Sequence, residues 1–561
     1  MCYGASNLSF FCVCAYYTHI LNCIILRWSQ LKALDLSQCN DTEALVKRLM
    51  FELSRTRREA YEAKVELHQT KEILYNITTK MHAQHLGDTS QKGDARKKFN
   101  GHKLVHLDLG GAPPNMTYLL QLLPHFVKWG ATGLLIEYSD TFPYNGQLQV
   151  IQGPNAYSKD DITILVKEVM QHNLTVIPLV QTFGHLEFVL KHDEFKHLRE
   201  TAKYTNSVCP KNPESADLVR EMIDQVAALH PGIKWFHVGA DEVWNLKTCR
   251  TCADDQRNKS MIFLEHMIPV LQHVRSKGIT PIMWDDMMRE WSIEFLKAIG
   301  KLAEPMIWYY RTDLRRHFAK EMFQRYLEAF PKIWTASAFK GATGPNSDFV
   351  TISKHVSNNL QWVEIMSKIS KKSDVLGIAL TGWSRYDHYG TLCELLPAGI
   401  PSLALCLKAI DEGQMNEALR KALSQELGFS GRIDVEGTEY FDETERYGDF
   451  PGHEIYELSC KLKDANHGLA LVHSTEKGWM LERQLEENFL SYFRLHFARL
   501  KSIQAVNAYR QLRDEASNLL SQIYSNNTVS EWLKDKIDDK IRDAELQKYK
   551  IDDVERSFDW R

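Results

Sequence analysis

From Lys103 to about Pro401 the chain alternates between two textures. Short apolar runs of 4–8 residues, rich in Val, Ile, Leu or Trp, are separated by stretches whose apolar positions recur at helical spacing. The runs are Leu104–Leu109, Gly133–Tyr138, Thr175–Thr182, Trp235–Ala240, Pro281–Trp284, Pro305–Tyr310, Ile333–Ala338 and Gly377–Gly382. The helical stretches include 117–129, 159–172, 214–229, 259–277, 291–299, 316–329 and 357–370. Apolar runs this short read as buried strands. Their alternation with helices predicts a parallel sheet with the helices packed outside it. Eight such units in about 300 residues match a (β/α)8 barrel in number and size. A doubly wound sheet is the alternative, but the spaced glycines of a dinucleotide fingerprint are missing after the first run.

The flanks read differently. Residues 41–82 are highly charged, with Leu45, Leu49, Leu53, Tyr61, Val65 and Leu74 at rough helical spacing. So narrow a stripe suits a stalk or weak coiled coil better than a packed core helix. Residues 86–101 are polar and carry Gly87, Gly93 and Gly101, as a linker does. After Pro401 the strands stop, and helices are expected at 414–427, 454–473, 478–524 and 529–547. Four regions follow: a leader or anchor over 1–30, a charged helical segment and linker over 31–102, a (β/α)8 barrel over 103–405 and an α-helical region over 406–561. Leu8 to Leu26 lacks Asp, Glu, Lys and Arg and has nearly the length of a membrane span. No basic residues precede it as they would in a secretory signal, and Arg27 and Lys32 follow it. It reads either as an anchor with its C-terminal side cytosolic or as a leader without structure.

Composition narrows the function classes. At 561 residues the chain has room for a large core and an appendage, and 44% hydrophobic with 25% charged residues is ordinary for a globular enzyme. A formal net charge of −4 argues against a nucleic-acid partner. Eleven cysteines, five of them crowded into Cys2–Cys39, make no regular framework and point to reduced thiols. Cys249-Arg-Thr-Cys252 is half of a zinc or redox site, but no second pair at ligand spacing follows it. Neither a cofactor nor a metal is expected.

The candidate chemistry gathers where the strands end. Strand one ends at Asp108, strand two at Glu137, Tyr138 and Asp140, and strand three at Gln181, His185 and Glu187. Strand four ends in the adjacent acids Asp241 and Glu242. Strands five to eight end at Trp284-Asp285-Asp286, Trp308-Tyr309-Tyr310, Lys340 and Trp383-Ser384-Arg385-Tyr386-Asp387. Parallel barrels keep their active sites at this end. Trp faces stack on the C–H faces of sugar rings and carboxylates accept from hydroxyls, so the pattern points to a carbohydrate. Strict alternation would send Asp241 and Glu242 to opposite faces, so both reach one cavity only if the strand stops at or before them.

The pattern His237-Val-Gly-Ala-Asp-Glu242 resembles the signature of glycoside hydrolase family 20, the β-N-acetylhexosaminidases. Val180–His192, Trp284–Met287, Ala336–Pro345 and Leu380–Tyr389 closely resemble the hexosaminidase-domain-containing branch of that family. The likeness runs from about Leu104 to Leu405 and does not include residues 1–100. It implies that Glu242 is the general acid/base and that Asp241 orients and charges the substrate's acetamide, which acts as nucleophile. His185 then sits beside the acid. Trp284, Trp308 and Trp383 form aromatic walls, and Tyr310, with Tyr309 as its rival, meets the acetamide oxygen. Asp108, Glu137, Asp285, Arg385 and Asp387 complete the expected substrate contacts. Many family members have an Arg at the end of strand one. Asp108 and Gly110 stand there instead, which leaves the sugar-hydroxyl contacts, and the choice between gluco and galacto substrates, open.

The mechanism implied is retaining and needs no enzymic nucleophile, an exception to the usual pair of carboxylates. Two acids sharing one partly dry pocket are expected to titrate apart, which suits these two roles. The resemblance also implies a cytoplasmic and nuclear location and activity on both epimers, with galactosamine preferred. A membrane contact through residues 8–26 and a homodimer stay open. Two further readings compete. His106, Asp108, His185, His237 and Asp285 lie near strand ends, where a metal-dependent hydrolase keeps its ligands. A non-catalytic sugar-binding barrel is the other.

Overall fold

The computed structural model describes residues 99–318, 320–369 and 374–557. The candidate anchor, the charged segment and most of the linker lie outside these residues. Among the described residues ten strands form in chain order: β1 (His102–Asp108), β2 (Gly133–Glu137), β3 (Thr175–Leu179), β4 (Arg199–Thr201), β5 (Tyr204–Val208), β6 (Trp235–His237), β7 (Thr280–Trp284), β8 (Glu304–Trp308), β9 (Lys332–Lys340) and β10 (Asp374–Gly382). Eight close a parallel barrel in the order β1-β2-β3-β6-β7-β8-β9-β10, with β10 returning to β1. β4 and β5 form a separate antiparallel hairpin between β3 and β6.

Eight principal helices cover the barrel: α1 (Met116–Trp129), α2 (Lys159–Gln171), α3 (Pro213–Ala228), α4 (Lys259–Ser276), α5 (Ile293–Gly300), α6 (Lys320–Ala329), α7 (Ile352–Ile369) and α8 (Leu396–Glu412). Local chemistry sets their starts. Asn115, Ser158, Asn212 and Asn258 each accept an N–H of the first turn of α1, α2, α3 and α4. The sequence pattern missed α8. Nearly every residue from Leu396 to Ile410 is buried, so the helix has no polar face and shows no 3.6-residue period. It also crosses the expected boundary at residue 405. The hairpin was missed too, because it is short and polar.

The barrel interior is a packed core. Leu104, Leu135, Ile177, Trp235, Ile282, Trp284, Met306 and Trp334 fill it. At the bottom of the barrel the half-buried Glu304 accepts the indole N–H of Trp235 at 3.0 Å and of Trp334 at 2.8 Å. Trp235 is therefore a core residue.

Beyond α8 come α9 (Glu417–Glu426), α10 (His453–Trp479), α11 (Tyr492–Leu520), α12 (Asn526–Leu533) and α13 (Asp539–Ser557). The charged run expected over 478–524 breaks before α11, and the one over 529–547 splits at a wide turn, Lys534–Asp538. This region packs on the barrel. Asn115 N–H donates to the Ile523 carbonyl at 2.7 Å, and Lys536 pairs with Asp348 at 2.7 Å. Trp532, Leu533 and Ile537 join the same apolar cluster as the outer barrel. Trp532→Ala should therefore lower whole-chain stability by about 3–5 kcal/mol, read as a shifted denaturant midpoint. An unchanged midpoint would mean that the helical region adds nothing to barrel stability.

Candidate active site

The two acids reach one cavity because strand β6 stops early. It ends at His237, and the chain then turns through left-handed conformations: φ is 60° at Gly239, 69° at Ala240 and 48° at Glu242. Alternation no longer applies after His237, so adjacent residues can face the same space. Left-handed residues other than glycine each cost roughly 1–2 kcal/mol, so their neighbours must hold them. Glu242 N–H donates to Asp286 Oδ2 at 2.9 Å. A Cβ at Gly239 would lie 2.0 Å from Gln181 Oε1, and one at Gly184 would lie 2.1 Å from the Asp241 carbonyl oxygen. Only bare backbone lets the loop after β3 close on the loop after β6. That loop also turns at His185, where φ is 52°.

This closure wedges His185 between the two acids. Its Nε2 is 3.4 Å from Asp241 Oδ2 and 3.3 Å from Glu242 Oε2. Burial alone would discharge the imidazole, but the Asp241 charge and hydrogen bonds to Asp241 and Glu242 outweigh it and raise its pKa well above 6.5. His185 is therefore a cation at neutral pH. Two other carboxyls carry the cost of this acid cluster. Burial first, and the Asp241 charge second, push Glu137 up to about 8. The same two causes, in the same order, raise Asp286. Glu137 faces His106 across 3.5 Å, and burial lowers that histidine to about 4. A protonated carboxyl thus meets a neutral imidazole.

Above the acids opens a cavity of about 420 Å³, within the range of small-molecule sites. It brings together Asp241, Glu242, His185, Trp308, Tyr310, Trp383, Asp108, Glu137, Arg385 and Asp387 from the sequence expectation. Trp308 and Tyr310 stack at 5.2 Å between ring centroids. Arg289 braces the Trp308 ring from 5.1 Å, and Asp286 Oδ1 accepts its indole N–H at 3.1 Å. Lys340 donates to the Trp383 carbonyl at 2.8 Å. The Tyr309 hydroxyl donates to Asp313 at 2.6 Å, whereas that of Tyr310 bonds with Trp383 and Thr381. Both tyrosines line the cavity, and Tyr310 feels the charges of Asp241 and Glu242.

Two expected contacts lie elsewhere. Trp284, 1% exposed, points into the barrel as part of its core beneath the cavity, with its ring centroid 4.4 Å from that of His237. Asp285 is fully buried and takes both arms of Arg289 at 2.7 and 2.8 Å. It supports the residue that braces Trp308 and does not face a sugar. Its neighbour Asp286 is the one beside Glu242. The choice between adjacent acids was not readable once the strand had ended. Gln181, Glu187, Arg311, Tyr386 and His388 also line the cavity, and of these Arg311 and His388 did not stand out at a strand end as chemistry. Arg385 is already engaged: Glu531 of α12 pairs with its guanidinium at 2.5 and 2.8 Å. No sequence signal joins residues that far apart.

The residues of the metal-hydrolase reading do not converge as a ligand set. Asp285 is spent on Arg289, and His237 Nδ1 accepts the Gly239 N–H at 3.0 Å. His237 is fully buried, and burial drives its pKa well below 6.5.

The chain is similar to several known proteins. A family model described as glycosyl hydrolase family 20, catalytic domain, matches residues 120–386. Hexosaminidase D of Bos taurus is 46% identical over 338 residues, spanning 58% of this chain and 97% of that protein. Hexosaminidase D of Homo sapiens is 38% identical over 449 residues, spanning 78% of this chain and 91% of that protein. A solved chitobiase from Flavobacterium johnsoniae is 11% identical, with a TM-score of 0.46 over 83% of this chain and 74% of that one. The chain belongs to glycosyl hydrolase family 20 and is a glycoside hydrolase.

Proposed function

We propose that the enzyme removes a terminal N-acetylgalactosamine or N-acetylglucosamine from β-glycosides with retention, the substrate's own acetamide acting as nucleophile. The observation that carries this reading is the shared contact of His185 with Asp241 and Glu242 beneath the cavity walled by Trp308, Tyr310 and Trp383. The names of the bovine and human relatives support a hexosaminidase.

Chemistry follows from the positions. Glu242 is the more exposed acid, with 34% of its side chain accessible against 10% for Asp241. It gives its proton to the leaving glycosidic oxygen as the C–O bond breaks. The acetamide oxygen attacks the anomeric carbon and an oxazolinium forms. Asp241, deeper and beside Tyr310, stabilises the positive charge that develops on the amide nitrogen. Water then attacks the same carbon from the face the aglycone left and passes its proton to Glu242. Two displacements restore the original configuration. The linkage is β because the acetamide must lie trans to the leaving group. His185 orients both acids through its shared N–H, a positioning role.

The epimer choice rests on the 4-hydroxyl. Of its expected holders, Asp108 already accepts Gly110 N–H at 3.0 Å and Ser384 N–H at 2.7 Å, Asp387 accepts Tyr389 N–H at 2.8 Å, and Arg385 is gripped by Glu531. These partners fix the three groups in place, so a wrongly oriented hydroxyl would leave a polar group unpaired.

Glu242→Gln should lower kcat by about 10²–10⁴-fold on a natural glycoside and by less on a nitrophenyl glycoside, whose leaving group needs little protonation. Asp241→Asn should lower kcat on both and weaken a thiazoline inhibitor. Equal losses from Glu242→Gln on both substrates, or ready cleavage of β-glucosides lacking the acetamide, would overturn the mechanism.

Kinetics on the nitrophenyl N-acetylgalactosaminide and N-acetylglucosaminide in one assay should show both cleaved, with the higher kcat/KM for the galacto epimer. A clear preference for the gluco epimer would remove that preference while leaving the reaction intact.

A further outcome concerns pH. Glu137 keeps its proton in the fold up to about 8, against an ordinary value of 4.5. Between these values the unfolded chain releases a proton that the folded chain retains, so this group lowers stability as pH rises. Glu137→Gln should thus stabilise the enzyme by about 2–4 kcal/mol at pH 8 and leave it nearly unchanged at pH 4.5. A pH-independent effect in thermal unfolding would show that Glu137 is not buried as a neutral acid.

A further inference from the structure

Away from the cavity, four donor side chains from three chain segments converge. Glu200 lies on β4, Cys209 follows β5, and Cys249 and Cys252 lie in the loop after β6. One Glu200 oxygen and the three sulfurs all lie within 4.8 Å of one another. Cys209 Sγ is 3.7 Å from Cys249 Sγ and 3.6 Å from Cys252 Sγ. A disulfide would need about 2.05 Å, and these are free thiols. A tetrahedron with Zn–S bonds of about 2.3 Å has edges of about 3.8 Å, close to the separations found.

The surroundings are those of a ligand set. Cys252 N–H donates to Cys249 Sγ at 3.3 Å, and Lys211 N–H donates to Cys209 Sγ. Such donors stabilise thiolates and orient them. Glu200 is 1% exposed. Its Oε1 accepts Thr248 N–H at 2.7 Å and Cys249 N–H at 3.0 Å, which fixes the carboxylate. Its Oε2 is shut away from water and has no backbone donor, only the Cys209 thiol beside it. A buried carboxylate oxygen left in this state, beside three sulfurs, is costly unless a cation meets it.

We propose that Glu200, Cys209, Cys249 and Cys252 bind a structural Zn²⁺. Each thiol passes its proton to water as its Zn–S bond forms, and Glu200 supplies the fourth ligand. All four positions come from the protein, so no site is left open for catalysis. The ion would tie the β4–β5 hairpin to the loop that carries Asp241 and Glu242. The hairpin in turn supports the His185 loop, since Leu186 N–H donates to the Asn206 carbonyl at 3.1 Å. Hairpin and loop also meet through Glu200 with the Thr248 and Cys249 N–H groups, Asn245 with Asn206 at 2.6 Å and Thr201 with Thr248 at 2.7 Å. The inference is independent of which sugar is cleaved.

The test uses the full chain, made in zinc-supplemented medium and purified without chelators. Elemental analysis should find about one zinc per chain, and X-ray absorption should show a sulfur-rich shell at about 2.3 Å. Cys249→Ser and Glu200→Gln should each lower the zinc content to below about one fifth and lower the melting temperature, whereas Cys39→Ser should do neither. Cys249 is only half-buried, so its serine variant is expected to fold. Wild-type protein with all thiols reduced that takes up no zinc would overturn the proposal. So would a first shell of nitrogen and oxygen alone, or variants that keep the wild-type zinc content.

Discussion

A charged imidazole held between two neighbouring carboxylates is the interaction on which the mouth of this barrel depends. Asp241 and Glu242 are adjacent in the chain and face one cavity, so the negative charge this pair can carry is concentrated there. His185 supplies the opposite charge at 3.4 and 3.3 Å. The repulsion that remains is absorbed one layer out. Glu137 and Asp286 are both driven toward their protonated forms by burial and by Asp241. The acid cluster is thereby kept compact without a swarm of buried negative charges.

That arrangement requires an irregular backbone. Ser139, His185, Ala240 and Glu242 are four of only seven non-glycine residues with positive φ among the described residues, and all four lie where barrel strands give way to loops. Such strain persists where the surroundings over-determine it. Here the determinants are close contacts at Gly184 and Gly239, where a single methyl group would collide with the opposite loop, and the Asp286 carboxylate that receives Glu242 N–H. The barrel below is conventional by contrast: its interior is filled by tryptophans and aliphatics, so the cavity has a solid floor.

The outer walls draw on elements that the barrel itself does not supply. Arg385 faces the cavity with its guanidinium paired to Glu531 on α12, and the loop bearing the two acids meets the β4–β5 hairpin at the cluster of Glu200 and three cysteines. A loop-built site needs such external supports, because loops have few buried contacts of their own.

The sequence by itself determined the barrel and the identity of its chemistry. Eight apolar runs alternating with helical stripes have one economical closure, and carboxylates and tryptophans at the strand ends mark the working face. Those signals are local, and a linear reading captures local periodicity well. It missed α8 because a helix buried on all sides has no period to display. It assigned Trp284 and Asp285 to the sugar because a strand-end position says nothing about direction once alternation stops. Only the tertiary structure turned Trp284 down into the core, gave Asp285 to Arg289 and brought Asp286 beside Glu242. It alone joined Arg385 to Glu531, 146 residues away, and brought Glu200 and Cys209 to the Cys249–Cys252 pair from 40 to 50 residues upstream. The physical reason is common to all of these. Periodicity reports which side of an element is buried, whereas the partner a buried group meets is set by chain closure between distant segments.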